Sequence, residues 1–424
     1  MTPYDSCMAT KLVNGKQLTV ASHVNDLKAS HQELEVLKGF AKSLNDEFGQ
    51  ETPITESYGK QHEYLGMKLD FAHRGEVMVT MVDYIKLILQ DVPEDMKRGT
   101  AATPAGNHLF KVNEIDPEEL CTEKAEVFVH IVMQLLYLSQ RARPDIRTAV
   151  SFLCSRLNKP DQDDYKKLSR VVKYLRGTLD LPLRLSGDGT GTIRWWIDAS
   201  FGVHVDMKGH TGGTLSLGRG SVYSTSTKQK LVARSSTESE VIGVHDVMPQ
   251  VIWTNYFLQA QGVKVGDTVV YQDNMSSILL EKNGRSSSSK RTRHMNIRYF
   301  FVKDRVASNE IRIDYCPTED MIADFFTKPL QGKQFYKLRD CVMNVDPSSK
   351  YHSDHRSVLK PEVVEKSDTE DTNAEESITE LMNKLDGGAQ VRTQDTVNGS
   401  GANEIHTVRR SYKDVVMNGG ELSR

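Results

Sequence analysis

The stretch Ile193-Arg-Trp-Trp-Ile-Asp198 decides how the largest part of the chain is interpreted. Its bulky apolar residues predict a buried strand that ends on an acidic side chain. Val269-Val-Tyr-Gln-Asp273 repeats this pattern further along the chain. A carboxylate at the end of a buried strand is not needed for packing, and two such carboxylates meet if their strands are neighbours in one sheet. The two stretches therefore indicate a chemical site built on a sheet.

The region that contains both stretches, 191–344, alternates predicted strands with predicted helices. The strands fall at 192–198, 213–217, 221–224, 268–272 and 310–315, and the helices at 236–260, 274–282, 292–307 and 318–326. Strands first, followed by a β–α–β–α order, predict an α/β fold with a mixed sheet flanked by helices.

Three other regions surround this one. Residues 1–100 mix short strands (17–22 and 76–81) with amphipathic helices (31–48 and 82–92). Residues 101–190 are predicted to be mainly helical, with helices at 123–142, 144–157 and 161–177. Residues 345–424 contain few aromatic residues and an acidic run, so they cannot bury enough apolar surface to fold, and we expect a disordered tail with one transient helix at 378–385.

Composition excludes several classes of protein. The 424 residues are 38% hydrophobic and carry a net charge of −3, to which residues 346–424 contribute 15 acidic and 10 basic side chains. The remainder is only weakly basic, which does not by itself indicate a polyanionic ligand. No apolar run approaches a membrane span, and the N-terminus lacks the pattern of a secretory signal. Five scattered cysteines fit reduced thiols in an intracellular protein.

Two more acids have unusual positions. Glu240 lies early in the predicted helix 236–260 and precedes Val244 at helical spacing, which places it on the face toward the sheet, whereas Glu238 is turned away. Asp324 lies between apolar neighbours in the segment Met321–Thr327. Four acids that converge at low dielectric repel one another unless divalent cations neutralise them.

Such a quartet has a chemical and a structural interpretation. Mg²⁺ suits an all-oxygen site, and two metal ions held by carboxylates support phosphodiester hydrolysis. Alternatively, each acid is an ordinary N-cap, turn residue or surface charge. Spacing alone leaves both interpretations open.

The motifs of region 191–344 strongly resemble the ribonuclease H domain of copia-type retrotransposon polyproteins. In chain order the matching stretches are Trp195-Trp-Ile-Asp-Ala-Ser-Phe201, His210-Thr-Gly-Gly213, Ser224-Thr-Ser-Thr-Lys-Gln-Lys230, Ser235-Ser-Thr-Glu-Ser-Glu240, Tyr271-Gln-Asp-Asn-Met275, Lys290-Arg-Thr-Arg-His-Met-Asn-Ile-Arg-Tyr299, Tyr315-Cys-Pro-Thr318 and Ile322-Ala-Asp-Phe-Phe-Thr-Lys-Pro-Leu330. The resemblance implies a ribonuclease H-like fold for this region.

The same resemblance implies a function for the four acids. The family's metal-binding residues fall on Asp198, Glu240, Asp273 and Asp324, the quartet selected above. Two Mg²⁺ or Mn²⁺ ions and no small-molecule cofactor are then expected. The implied reaction is cleavage of the RNA strand of an RNA–DNA hybrid, which leaves 3′-hydroxyl and 5′-phosphate ends.

The first 190 residues resemble the end of the same polyprotein's reverse transcriptase. The matching stretches are Leu65-Gly-Met-Lys-Leu-Asp70, Arg141-Ala-Arg-Pro-Asp145 and Val172-Lys-Tyr-Leu-Arg-Gly-Thr178. The resemblance implies a partial palm over 1–100 and a helical thumb and connection over 101–190.

One departure from the family affects the polymerase site. The family carries paired aspartates in a Tyr/His-x-Asp-Asp hairpin, and the matching segment here is His23-Val-Asn-Asp26. Asn25 replaces the first carboxylate beside Asp26, and an amide cannot supply the charge that metal ions need. We also expect the fingers and the first half of the palm, with the third catalytic aspartate, to be missing before Met1. We therefore expect no DNA polymerase activity.

Several polar residues are candidates for substrate contacts. The dense basic stretch consists of Lys282, Arg285, Lys290, Arg291, Arg293 and Arg298. It either binds the phosphates of a hybrid or is a solvated loop and helix start. Gln229 either reaches the minor groove and senses 2′-hydroxyls or is a polar residue of an edge strand.

His294 and the tryptophans also have alternative interpretations. The family has His-x-Asp-Ile-Arg where this chain has His294-Met-Asn-Ile-Arg298, which removes one charge. His294 either contacts substrate and assists product release or makes a structural hydrogen bond. Trp195 and Trp196 alternate along a strand, so one is predicted in the core and the other in packing between domains.

The leading hypothesis is a truncated reverse transcriptase–ribonuclease H fragment in which only the ribonuclease H acids are intact. The alternative is a non-catalytic nucleic-acid-binding relic of the polyprotein. The expected partners are an RNA–DNA hybrid and other polyprotein segments. An intracellular location is expected, in cytoplasm or nucleus, or in a virus-like particle if the element is active.

Overall fold

The computed structural model describes residues 2–50, 53–115, 117–284, 296–352 and 404–409. Within these ranges the chain forms three five-stranded sheets and ten α-helices, which confirms the predicted mixed α/β class. The helices are α1 (Leu34–Phe48), α2 (Val82–Asp91), α3 (Thr122–Arg141), α4 (Arg147–Cys154), α5 (Gln162–Gly177), α6 (Ser236–Ala260), α7 (Met275–Asn283), α8 (Asn296–Ala307), α9 (Asp324–Thr327) and α10 (Gly332–Met343).

The first sheet is antiparallel and packs on α1. In spatial order its strands are β1 (Met8–Val13), β2 (Lys16–His23), β3 (Asp26–His31), β15 (Glu404–Arg409) and β4 (Thr55–Gly59). Its apolar face is small, with Leu18, Ala29 and Leu37 at the centre. The β2–β3 hairpin turns at Val24, whose φ is 52°. This hairpin carries Asn25 and Asp26.

The second sheet draws strands from three of the regions defined in the sequence. In spatial order these are β11 (Gly218–Arg219), β8 (Leu183–Gly187), β7 (Glu76–Thr80), β6 (Met67–Asp70) and β5 (Gln61–Tyr64). The predicted boundaries near residues 100 and 190 therefore run through one continuous sheet. Only long-range strand pairing produces this arrangement.

The third sheet is mixed and carries the predicted acids. In spatial order its strands are β12 (Tyr223–Lys228), β10 (His210–Ser216), β9 (Ile193–Ser200), β13 (Thr268–Gln272) and β14 (Arg312–Tyr315). β9 is antiparallel to β10 and parallel to β13. Because β9 is central, it is covered on both faces, and six of its eight residues are buried, with Trp195 fully buried.

The two faces of β9 belong to different cores, which confirms the prediction for the two tryptophans. Trp195 lies in a core formed by the third sheet and α6. Trp196 stacks on Tyr271 with ring centroids 5.1 Å apart and joins a second core, which contains α2 to α5 and α10. Alternation of side chains along a strand sends neighbouring residues to opposite faces. The helical region 101–190 is therefore packed directly against the third sheet.

Two side-chain hydrogen bonds from α4 reinforce this packing. The hydroxyl of Thr148 donates to the carbonyl of Phe325 at 2.8 Å, and that of Ser151 to the carbonyl of Ser226 at 2.6 Å. The first of these bonds holds α9, the helix on which Asp324 lies.

The C-terminal part differs from the sequence-based expectation in two places. α10 has no counterpart among the predicted helices. Residues 345–352 pack on the second sheet, since Val345 is buried and Asp346 pairs with Arg184 of β8. Of the range predicted as a disordered tail, the structure describes only 345–352 and β15. The predicted helix at 378–385 lies outside the described residues.

Candidate functional site

Asp198 and Asp273 lie side by side on two parallel strands, with Asp273 directly after β13 and Asp198 inside β9, which continues past the predicted end at 198 to Ser200. β13 pairs with β9 in the register Val270↔Trp195 and Tyr271↔Trp196. Continuing this register by two residues places Asp273 beside Asp198. Asp198 is buried and Asp273 is half-buried, so the two carboxylates meet at the rim of the sheet.

Glu240 reaches the same point from α6. The hydroxyl of Ser235 accepts a hydrogen bond from the Glu238 backbone N–H, which caps the helix so that Glu240 lies in its second turn. Gly243 lets the helix lie close to β9, because a Cβ there would lie only 3.2 Å from Ala199 Cβ. Glu238 is also buried, but its carboxylate accepts from the Arg234 backbone N–H at 2.8 Å. As predicted, Glu240 faces the acids of the sheet, whereas Glu238 does not.

Three of the four predicted acids form a tight cluster. One carboxylate oxygen each from Asp198, Glu240 and Asp273 lies within 4.8 Å of the other two, and among the described residues this is the set of His, Cys, Asp and Glu placed to share a metal ion. We call these three residues the acidic triad. Asp324 is outside it.

The electrostatics of the acidic triad suit a bound cation. Burial, and then the charges of Asp198 and Asp273, raise the pKa of Glu240 well above its usual range. Among the described residues, Glu240 Oε2 has no hydrogen-bond partner. A buried carboxylate oxygen without a partner, between two further carboxylates, matches the oxygen ligands that Mg²⁺ or Mn²⁺ prefers. The residues present therefore fit a divalent cation.

Asp324 lies within hydrogen-bonding reach of the Asp198 side chain and is also held by Lys328. Its Oδ1 accepts a hydrogen bond from Lys328 Nζ at 2.6 Å, and the same Nζ lies 3.7 Å from Asp198 Oδ2. Burial, and then the charge of Asp198, raise the pKa of Asp324 to about 7. The ammonium group thus supplies the positive charge nearest to this acid.

Two threonines that the sequence analysis did not select orient the acids. The hydroxyl of Thr327 donates to Asp198 Oδ2, and that of Thr318 donates to Asp273 Oδ2 at 2.9 Å. Both threonines, like Lys328, lie inside motifs that carry the family resemblance. Those motifs were the available indication, but a hydroxyl's partner is known only after the helices and strands are packed.

Gln229 is buried and uses its amide within the protein. Its Nε2 donates to Thr211 Oγ1 at 3.1 Å and to the Ser239 carbonyl at 2.9 Å, and its Oε1 accepts from the Ser239 hydroxyl at 3.2 Å. These bonds tie the loop after β12 to α6 one residue before Glu240. Gln229 is therefore a residue that holds the helix in place, and not the groove contact predicted as one of its two interpretations.

The predicted basic contacts are dispersed or lie outside the described residues. Lys282 is exposed at the end of α7 and lines a groove with Asp267 and Thr268, at the end of β13 opposite to Asp273. Because α7 runs back along the sheet, it carries Lys282 away from the acids. Arg298 of α8 is half-buried, and its positive charge acts to lower the pKa values of His245 and Asp246 of α6. The other candidates, Arg285, Lys290, Arg291, Arg293 and His294, lie outside the described residues.

The comparisons with known proteins relate the chain to transposon polyproteins. The retrovirus-related Pol polyprotein from transposon TNT 1-94 of Nicotiana tabacum is 28% identical over 290 residues, which is 67% of this chain. That from transposon RE2 of Arabidopsis thaliana is 32% identical over 222 residues, 51% of this chain. The chain belongs to the copia-type retrotransposon Pol polyproteins. The chain, called the Pol segment below, spans 22% and 15% of the lengths of these two relatives.

A shorter relative matches part of the same Pol segment. The secreted RxLR effector protein 161 of Plasmopara viticola is 31% identical over 127 residues, which is 30% of this chain and 89% of that protein. No family model matches the chain. Within the described residues of this Pol segment, no helix combines the length and apolar character needed to cross a membrane.

Proposed function

We propose that this Pol segment is a metal-dependent endonuclease that hydrolyses the RNA strand of RNA–DNA hybrids. The observation that carries the proposal is the acidic triad, in which Asp198, Glu240 and Asp273 bring carboxylate oxygens within 4.8 Å of one another. The family motifs that surround each of these residues, and the relation to Pol polyproteins, support the same function.

In this proposal Asp198, Glu240 and Asp273 hold a divalent cation, with Asp324 beside it. When bound, Mg²⁺ or Mn²⁺ activates water and neutralises charge that develops on the phosphodiester. The protein contributes the arrangement of the acids. Thr327 and Thr318 hold the carboxylates of Asp198 and Asp273, and Gln229 holds the start of α6. Buried, fixed ligands lower the reorganisation needed when the cation and the substrate bind.

The proposal assigns a role to each region. Residues 191–344 form the ribonuclease H-like unit, 1–100 a partial reverse-transcriptase palm, and 101–190 a thumb and connection that supports the nuclease. Trp196 and Phe325 pack into the same core as α3 to α5, which is consistent with helices that hold the nuclease unit in place. The RNA–DNA hybrid and other polyprotein segments are the proposed partners, and the proposed location is intracellular.

We further propose that the polymerase function is lost. The β2–β3 hairpin carries Asn25 and Asp26, where polymerases of the family carry two aspartates. One carboxylate and one amide provide too little negative charge for a pair of Mg²⁺ ions. Primer extension on an RNA template is the test, and measurable extension by the chain would refute this part of the proposal.

The nuclease proposal is tested with a labelled RNA–DNA hybrid and Mg²⁺. Wild type should cleave the RNA strand, and Asp273→Asn should not. Asp267→Asn is the matched control, because Asp267 precedes the same strand at its opposite end and forms an exposed ion pair with Arg312. Equal cleavage by wild type and Asp273→Asn would identify a contaminant and refute the proposal. Binding of the hybrid without cleavage would favour the alternative, a non-catalytic nucleic-acid-binding relic.

A further inference from the structure

Lys328 lies between two carboxylates that the sequence assigns to metal binding. It directly follows α9, and its Nζ is 2.6 Å from Asp324 Oδ1 and 3.7 Å from Asp198 Oδ2. The side chains of both acids are almost completely buried, whereas that of Lys328 is 39% exposed. The ammonium group thus reaches from the surface into the side of the site that Asp324 provides.

Lys328 is in direct contact with Asp324 and Asp198, and its charge acts on Glu240 and Asp273 at longer range. Asp198, Glu240 and Asp273 share a point within 4.8 Å, and no lysine or arginine among the described residues forms an ion pair with Glu240 or Asp273. Asp324 has Lys328 as its ion-pair partner and also interacts with the Asp198 side chain. A cation that is covalently tethered to the protein loses less entropy on binding a carboxylate than a free ion does, so it competes effectively for that carboxylate.

We propose that Lys328 is a positioning residue that occupies the second cation position of the site. In the free protein one divalent ion binds at the acidic triad, and a second ion must displace the ammonium group from Asp324. The inference rests on the proposed function, because it takes the triad to be a metal site. It goes beyond the two ions that the family resemblance implies, because it assigns them unequal affinities in the free protein.

The charge at this position has a second consequence for the fold. α9 is a single turn, and Lys328 connects its end back to Asp324 at its beginning. The ion pair therefore closes the turn that also carries Thr327, the donor to Asp198. Removal of the charge loosens this turn unless a second divalent ion takes its place.

The test measures Mn²⁺ binding to the full chain by isothermal titration calorimetry and by the electron paramagnetic resonance signal of free Mn²⁺. Wild type should bind one ion, with any second ion at least tenfold weaker. Lys328→Met retains most of the side-chain length without the charge, and its second ion should bind at least tenfold more tightly than in wild type. Lys328→Arg should behave as wild type does, because it restores the tethered charge.

Lys337→Met is the matched control, since Lys337 forms an ion pair with Asp320 at 2.8 Å, outside the triad. Two ions of similar affinity in wild type would overturn the inference while leaving the nuclease proposal intact, and this result needs no variant to fold. An unchanged second affinity in folded Lys328→Met would overturn it as well. Absence of any Mn²⁺ binding to wild type would overturn both proposals together.

Discussion

Gly212 on β10 and Thr327 at the end of α9 lie in direct contact. A Cβ atom on Gly212 would lie 2.7 Å from Thr327 Cγ2 and 2.9 Å from the carbonyl oxygen of Ala323. The carbonyl is backbone and cannot rotate away. The missing side chain at this position therefore allows α9 to rest on the sheet, and it determines how near Asp324 comes to Asp198.

Gly212→Ala should displace α9 and destabilise the protein by about 1–3 kcal/mol, as added volume in a packed site does. The free energy of unfolding, measured by urea denaturation, checks this expectation. Gly39→Ala is the control, because nothing lies within 4 Å of a Cβ at that position in α1. It should be neutral or stabilising by up to about 1 kcal/mol. Similar losses in the two variants would contradict the close contact as the cause.

Glu240→Gln should make the protein more stable without metal and insensitive to Mg²⁺. Burial and the charges of Asp198 and Asp273 make the ionised form of Glu240 unfavourable in the folded protein, and a neutral amide at this position removes that cost. In wild type Mg²⁺ should raise the melting temperature, since a ligand at 100 times its dissociation constant stabilises by about 2.7 kcal/mol.

Glu238→Gln provides the comparison for this prediction. Glu238 lies two residues earlier on the same helix and binds the Arg234 backbone. Its variant should retain the full response of the melting temperature to Mg²⁺. If Mg²⁺ stabilised Glu240→Gln as strongly as wild type, Glu240 would not be a ligand.

Asp145→Asn should destabilise the chain by about 3–5 kcal/mol, because it leaves the buried guanidinium of Arg143 without its counter-charge. Arg143 Nε and Nη2 each donate to Asp145 at 2.8 Å, and Tyr174 donates to the same carboxylate at 2.8 Å. The measurement is chemical denaturation. In contrast, Asp83→Asn breaks an exposed pair with Lys68 and should leave the free energy of unfolding nearly unchanged. Equal losses of stability in Asp145→Asn and Asp83→Asn would show that burial does not determine how much an ion pair contributes.

The buried pair of His204 and His210 should make a destabilising contribution as the pH is lowered below about 6.5, opposite in sign to that of Asp324 and Glu240, whose raised pKa values favour the folded protein at low pH. Their ring nitrogens lie 3.0 Å apart, and His210 also contacts the Ser226 hydroxyl at 2.7 Å. Burial lowers the pKa of His204 to about 4 and that of His210 to about 3, with nearby Lys228 and then His204, respectively, acting in the same direction. The unfolded chain therefore binds more protons than the folded protein between pH 6.5 and 4.

Above pH 6.5 the histidine pair makes its full contribution to stability. This contribution is lost as the pH falls from 6.5 through the pKa values of His204 and His210 in the folded protein. Melting temperatures between pH 7.5 and 5 measure it. Between pH 7.5 and 5, His210→Gln should lose less stability on acidification than wild type does, and His130→Gln, at an exposed position on α3, should follow wild type. A slope unchanged by His210→Gln would exclude the pair as its source.

The residues of the acidic triad were predictable from local sequence patterns. Asp198 and Asp273 each follow a run of apolar residues, and Glu240 lies at helical spacing from Val244. The periods of strands and helices fix which face a side chain occupies, so they indicate acids that point toward a sheet. The bounds of α6 and β13 agree with the predicted 236–260 and 268–272 for the same reason.

The surroundings of the triad were not predictable in this way. Gln229 turns inward because its amide finds partners on Thr211 and Ser239, which are brought together only by the packing of α6 on β10. Lys282 is close in sequence to Asp273, but α7 carries it to the opposite end of the strand. Sequence spacing gives the position of a residue along its own element, and the path of that element is set by distant contacts.

The sequence by itself determined the α/β class, the candidate acids and the separation of Trp195 from Trp196, because each follows from the repeat of a single strand or helix. The tertiary structure decided that three acids share one point while Asp324 pairs with Lys328. It also decided that β8 joins strands from three regions into one sheet. These features depend on distances between elements far apart in the chain, which are set by packing of the whole core and not by any local period.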